Sequence, residues 1–162
     1  MQKVIVIGCP GSGKSTFSRA LSQITGLPLT HLDMLYWNAD RTTVERSVFL
    51  DRLDRALEGD AWIIDGNYGS TIEMRLAACD TAFFLDYPAE VCLEGVRARR
   101  GKPRSDMPWF ETEEDAEFTE FIKRYNSESR PNVMALLEKY RNKKIYIFRT
   151  RDEAAEFLAG MQ

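Results

Sequence analysis

Eight residues near the start of the chain have the types and spacing to hold a polyphosphate. Gly8-Cys9-Pro10-Gly11-Ser12-Gly13-Lys14-Ser15 fits G-x-x-x-x-G-K-[ST] at every required position. It follows a short apolar run, Val4–Ile7, and opens a stretch with helical spacing, which is the context the pattern requires. Glycine at 8, 11 and 13 lets successive backbone N–H groups, Ser12's among them, turn inward toward phosphate oxygens with no Cβ in the way. A helix starting near Gly13 adds the positive end of its dipole. Lys14 brings a mobile point charge to the β- and γ-phosphates. The Ser15 hydroxyl is placed to ligate Mg2+, and Thr16 is placed to donate to an α-phosphate.

Phosphate chemistry at such a cradle also calls for an acid at the end of a buried strand. Two are in position. Asp65 follows Trp62-Ile63-Ile64 and precedes Gly66, while Asp33 closes His31-Leu32-Asp33 after a short second strand. A carboxylate at either place would serve the metal, accept a hydrogen bond from an acceptor hydroxyl, or cap the following helix. Asp65 is the candidate metal ligand beside Ser15. Asp86 ends another apolar run, but Tyr87-Pro88 turns directly into a helix, so capping is its expected role. Met34, Tyr36 and Trp37, close behind Asp33, are placed to line an acceptor side.

A guanidinium meets phosphate oxygens in pairs, which a lysine ammonium does not. Arg99, Arg100 and Arg104 therefore stand as candidates to stabilise charge on a transferring group, with Arg130 joining from farther along; the other use of such arginines is to complement a helix C-terminus. His31, the one histidine, is expected to pack or hydrogen-bond at its strand end. Cys9 sits at a helix N-terminus, which predicts a lowered thiol pKa. No cysteine–histidine spacing suits structural zinc.

These residues need elements to position them. Unbroken apolar runs at Val4–Ile7, Trp62–Ile64, Ala82–Leu85 and Ile145–Phe148 fit strands buried on both faces of a parallel sheet. Helical spacing alternates with them. Phe17, Ala20, Leu21 and Ile24 mark a helix ended by Gly26 and Pro28. Val44, Val48, Phe49, Leu53, Ala56 and Leu57 mark a second, stopped at Gly59. Val133, Leu136, Leu137 and Tyr140 mark another, and a last helix follows Thr150, with Glu153 as its capping-box partner. The class is α/β with right-handed crossovers. The stretch from about 97 to 131 breaks the rhythm: a basic cluster, then an acidic segment with Phe118, Phe121, Ile122 and Tyr125 at helical spacing. It reads as a lid-like excursion with one helix of its own.

At 162 residues the chain fits one domain, 1–162, with a large core. Its 22 basic and 25 acidic residues give a net charge of −3, which offers no whole-domain grip on nucleic acid, so direct nucleic-acid binding is not expected. No apolar run approaches the ~20 residues that cross a bilayer, so no membrane partner is expected. Three cysteines are too few and odd in number for a disulfide framework and suit the cytoplasm. Asn142-Lys143-Lys144-Ile145 fails as a guanine reader at its last position, which disfavours a GTPase switch.

Beyond the cradle, three further segments carry a likeness: Asp65-Gly66-Asn67-Tyr68, Phe84-Leu85-Asp86-Tyr87-Pro88-Ala89-Glu90-Val91, and Ala98-Arg99-Arg100. With His31-Leu32-Asp33, Arg104 with Asp106-Met107, and Arg130-Pro131, the whole chain resembles the adenylate-kinase-related P-loop small kinases, nearest to the DNA topology modulation, or FlaR-like, group. That resemblance implies a P-loop NTPase fold of three α/β/α layers, with a five-stranded parallel sheet in the order 2-3-1-4-5. It also implies ATP at the cradle, an acceptor pocket beside the second and third strands, and a lid that closes over phosphate. Where adenylate kinases continue into proline and arginine this chain has Asn67 and Tyr68, and Gly95 replaces an arginine, so AMP is not the expected acceptor. Shikimate kinases share the cradle and an aspartate like Asp33, but their triple-glycine acceptor segment is absent. The expected activity is Mg2+-dependent transfer of the ATP γ-phosphoryl group to a small acceptor by a monomer or homodimer. Lys14, Asp33, Asp65, Arg99 and Arg100 carry the chemistry. The alternative is a nucleotide-binding regulator that acts through a partner. Any effect on DNA topology would be indirect.

Overall fold

A computed structural model describes all 162 residues and gathers the apolar runs into one sheet. The strands are β1 (Lys3–Gly8), β2 (Leu29–His31), β3 (Trp62–Asp65), β4 (Thr81–Leu85) and β5 (Lys144–Phe148). Their spatial order is β2-β3-β1-β4-β5, and every pairing is parallel. β3 and β4 are buried throughout and β1 after its first residue, because helices cover both faces. Edge strands β2 and β5 are mostly half-buried, so continuous apolarity overstated the burial of Ile145–Ile147.

Chain direction follows from the helices. α1 (Lys14–Thr25) buries Phe17, Ser18 and Leu21 and ends where Gly26 takes φ 73° and donates its N–H to the Ser22 carbonyl. α2 (Leu32–Tyr36) and α3 (Arg46–Leu57) link β2 to β3, and α4 (Ile72–Ala78) links β3 to β4. Asp33 therefore lies in the first turn of α2, not at a strand end as its sequence position suggested; β2 stops two residues earlier because Leu32 turns into the core. Val44 precedes α3, its N–H bonded to the Tyr36 carbonyl, and Val48 faces solvent, so that helix buries a narrower stripe than its spacing implied.

After β4, α5 (Ala89–Arg99) leads into an irregular stretch, then α6 (Ala116–Glu128) and α7 (Arg130–Lys139) return the chain to β5. Asp115 caps α6 by accepting from the Phe118 N–H at 3.1 Å. Ile122 and Tyr125 of α6 are buried, whereas Phe121 is exposed. α8 (Arg151–Ala159) starts immediately after β5 with Thr150 as cap, accepting from the Glu153 N–H at 3.2 Å. Phe157 of α8 packs on Phe83 and Tyr146, with ring centroids 5.2 and 4.8 Å apart. That cluster fixes where Arg151 emerges. No helix is long and apolar enough to cross a membrane.

β1 and β4 are neighbours whose following connections run to opposite edges of the sheet. A crevice opens at such a point, beyond the carboxyl ends of the strands, and the turn after β1 sits there.

Candidate functional site

The turn from Gly8 to Gly13 wraps tightly, with the Ser12 N–H donating to the Cys9 carbonyl at 3.1 Å. Gly11 (φ 83°) and Gly13 (φ 93°) occupy the left-handed region that L side chains rarely adopt. The cradle also rests on α5 without a gap. A Cβ on Gly95 would lie 2.0 Å from the Gly11 carbonyl oxygen, and one on Gly11 would lie 2.0 Å from the Cys92 carbonyl oxygen. Glycine at 95 is thus what lets this cradle seat on its helix. Gly95→Ala is expected to weaken ADP binding about tenfold, because relieving a backbone clash of this kind costs about 1–3 kcal/mol and the displaced groups are the cradle's own. Calorimetric titration of the variant measures it.

Arg151 holds the same face of the cradle, its guanidinium beside Gly95. Its guanidinium donates to the Ser12 and Gly11 carbonyls at 3.2 Å each and lies over the Tyr87 ring at 5.6 Å. The Ser12 side chain is buried, and its hydroxyl has no partner. Lys14 Nζ reaches back only to the Cys9 carbonyl, 3.2 Å away, and burial lowers its pKa against the pull of Asp65 and Asp33. The half-buried ammonium thus has one hydrogen-bond partner for its three donors, which leaves two free for a ligand.

Facing Lys14 are two carboxylates. Asp65 ends β3 beside Val6, is buried, and pairs with His31 Nδ1 at 2.8 Å. Asp33 accepts from the Tyr68 hydroxyl at 2.5 Å. Burial pushes the Asp33 carboxyl above the usual aspartate range, opposed by the Tyr68 hydrogen bond and by the charges of Lys14 and Arg104. Tyr68 takes φ 32°, left-handed backbone for a bulky residue, of the kind that persists where surroundings over-determine it. The over-determination is visible. Arg75, fully buried, donates Nε to Thr71 Oγ1 (3.1 Å) and its two terminal nitrogens to the Gly66 (3.1 Å) and Asn67 (2.7 Å) carbonyls. Thr71 in turn donates its N–H and hydroxyl to the Tyr68 carbonyl. Desolvation lowers the Arg75 pKa to about 10.

Arg99 and Arg104 converge on one acid from the excursion. Arg99 donates to Glu111 at 3.2 Å, and Arg104 donates to Glu111 at 3.3 Å and, in a fork, to both Asp106 oxygens at 3.2 and 2.8 Å. Asp106 closes the chain of contacts by accepting from Ser15 Oγ at 2.8 Å. An aromatic wall runs from the core to the excursion: Phe49, Tyr68, Tyr36, Trp37 and Trp109, with successive ring centroids 5.0 to 5.5 Å apart and Arg41 over Trp109. Between cradle, carboxylates and wall lies a cleft of about 1800 Å³, lined by Lys14, Ser15, Asp33, Asp65, Arg99 and Arg104 among others. Single-ligand pockets run to about 300–1,000 Å³, so this one has room for two.

The structure therefore brings Gly11, Gly13, Lys14, Ser15, Thr16, Asp33, Asp65 and Arg99 to one cleft, while Gly8 and Ser12 form the turn behind it. Arg100, read from sequence as a second catalytic arginine, caps α5 and does not line the cleft; one residue along a helix end is enough to turn it away. Arg130 is held elsewhere, forked onto Asp86 at 2.8 and 2.9 Å. Asp86 is accordingly an ion-pair partner rather than the expected cap of α5, whose first residue follows Pro88 with no side-chain cap. Cys9 also departs from expectation. Its thiol is buried, and the neighbouring Cys92 thiol and that burial both push its pKa up. His31 bonds at its strand end as anticipated. Sequence reasoning passed over Tyr68, Arg75, Asp106, Glu111, Trp109 and Arg151 as site residues. Tyr68 and Asp106 stood inside quoted motifs; Arg151 carried no local signal.

Five parallel strands in this order, with the cradle after the first, make the fold that of the P-loop small kinases of adenylate-kinase-like architecture. The chain is similar to shikimate kinase from Bacteroides thetaiotaomicron, with a TM-score of 0.60 and 18% identity over 98% of this chain and 95% of that one. It is similar to shikimate kinase from Acinetobacter baumannii in complex with shikimate, at TM-score 0.62 and 17% identity over 99% and 93%. Deoxyadenosine kinase from M. mycoides with bound dATP gives TM-score 0.59 and 14% identity over 99% and 98%. The chain matches no protein-family model and no curated protein sequence.

Proposed function

We propose that the chain is a small-molecule kinase, moving the γ-phosphoryl group of ATP to a hydroxyl of a small acceptor, as one domain whose 97–131 segment serves as a lid. The observation that carries this reading is a single cleft, spacious enough for two ligands, with Lys14 and its two free donors at one wall and the Asp33 carboxylate at another. Gly11, Gly13 and the amides through Thr16 hold the donor phosphates. Asp33 takes the hydroxyl proton from the acceptor, which lies against Tyr36 and Trp37. Arg99 and Arg104 neutralise charge on the group in transfer.

Magnesium fits the residues present. No group of three or more histidine, cysteine, aspartate or glutamate side chains is gathered to hold a metal unaided, so the ion would share phosphate oxygens with Ser15 and Asp65. It supplies charge neutralisation between the β- and γ-phosphates. The motifs shared with the DNA topology modulation group favour assigning the chain there, working in the cytoplasm on a metabolite and touching no nucleic acid. The test is incubation with labelled ATP and Mg2+ across a panel of nucleosides, nucleotides and hydroxylated metabolites. Acceptor-stimulated ADP release is expected. Nucleotide binding with no stimulation by any acceptor would favour the regulator that acts through a protein partner.

A further inference from the structure

Asp106 is brought to the cradle from 91 residues away in sequence, and it arrives at the hydroxyl on which the metal is expected. Its residue is 7% exposed, so the carboxylate is well out of water. Oδ2 sits 2.8 Å from Ser15 Oγ. Two oxygens on adjacent corners of a magnesium octahedron, with bonds of about 2.0–2.1 Å, are about 2.9 Å apart. The pair's spacing is that of an ordinary O–H···O hydrogen bond, and it is also short enough for both oxygens to reach one ion. Carboxylates also suit magnesium in the number found here, one or two from protein with the rest from phosphate and water. Arg104 forks onto the same carboxylate and shares Glu111 with Arg99, so two cations and two acids are mutually neutralised. The phosphates of a nucleoside di- or triphosphate would offer Arg99 and Arg104 other oxygens to bind, and so free Asp106 for the metal.

Resting on the nucleotide reading above, we propose that Asp106 is a metal ligand carried by the excursion, joining Ser15 on Mg2+ so that the segment closes on the metal–nucleotide complex rather than on nucleotide alone. The rival use of the same contact is a simple latch, in which Asp106 occupies Arg104 and must leave when any nucleotide binds.

The full-length chain and its Asp106→Asn and Arg104→Gln variants separate the two through ADP affinity, measured with Mg2+ and again with a chelator. Mn2+ binding by the protein–ADP complex is followed in parallel by electron paramagnetic resonance. In the wild type, Mg2+ should tighten ADP binding. In Asp106→Asn that gain should shrink about tenfold or more, with metal-free ADP binding unchanged or tighter and Mn2+ retention weakened to match. Arg104→Gln keeps the carboxylate and should keep the metal-dependent gain, while Asp106→Ser, which also removes the carboxylate, should lose it and preserves the test should Asp106→Asn fail to fold. A gain that survives removal of the carboxylate in either Asp106 variant overturns the ligand assignment in favour of the latch. A wild type that binds ADP with no metal gain sinks the proposal and leaves the nucleotide reading intact, whereas no ADP binding under either condition ends both.

Discussion

Replacing Lys14 by alanine is expected to weaken ADP and ATP binding about a hundredfold or more while the fold stays in place. A charge-assisted hydrogen bond is worth about 1.5–3 kcal/mol, and a lysine that serves two phosphates makes more than one. The structure adds a sign for stability that a motif alone does not supply. Lys14 is a base whose pKa is lowered by burial, so the native chain holds its proton less well than the unfolded chain does. Its charged form is therefore a cost to folding at neutral pH, met only in part by the Cys9 carbonyl and the nearby Asp65 and Asp33. Removing the amine removes that cost. The Lys14→Ala variant should melt at the same temperature as the wild type or slightly higher, and calorimetry of both proteins with and without ADP checks the two halves together. A variant that binds ADP as before would mean that the turn holds something other than phosphate. One that loses binding together with its melting transition would show a structural role instead.

The cradle was legible because its information is local: eight consecutive residues specify a turn, and the turn is followed by the helix that completes it. Buried strands were legible for the same reason, since β1, β3 and β4 each announce themselves as an unbroken apolar run. Asp65 could be found from its place at the end of such a run. Asp33 was found too, although for a reason that needed correcting, because it stands in α2 rather than on a strand. What stayed hidden depends on chain return. Arg151 reaches the cradle from 140 positions away, and only the packing of Phe157 on Phe83 places it there. Arg75 looks from sequence like a polar residue on a short helix; its full burial is evident only once the loop Gly66–Tyr68 folds over it. The partners of the arginines were hidden for a related reason. Composition shows a basic cluster but not its acids, and Arg130 turns out to be forked onto Asp86, 44 residues away. Opposite charges at such a separation cannot be paired from the sequence, and the pairing decides which guanidinium a ligand must win from an acid.

Asp33→Asn is expected to lower turnover about 10²–10⁴-fold, the range over which a positioned general base contributes, with nucleotide affinity nearly unchanged. Asparagine keeps the size of the side chain and can still accept from the Tyr68 hydroxyl, so the wall at Tyr36 and Tyr68 should hold its shape. What is lost is the basic oxygen. In the wild type the base works only when ionised, and burial raises its pKa above the usual aspartate range. The turnover rate should therefore climb as pH rises through that elevated value and level off above it, and the variant should lack that limb. Stability runs the other way. An acid with a higher pKa in the native chain than in the unfolded one holds extra protons when folded. Its stabilising contribution is thus full below the unfolded value of about 3.9 and is lost as pH rises through the native value. At neutral pH the ionised Asp33 is a liability to the fold, and Asp33→Asn should melt higher than the wild type, by an amount that disappears toward acid pH. Steady-state rates and thermal scans across pH test both slopes on one pair of proteins. Loss of turnover without the gain in melting temperature would show that the ionised carboxylate is no burden to the fold. A rise in KM that accounts for the whole loss would place the effect of Asp33 in acceptor binding.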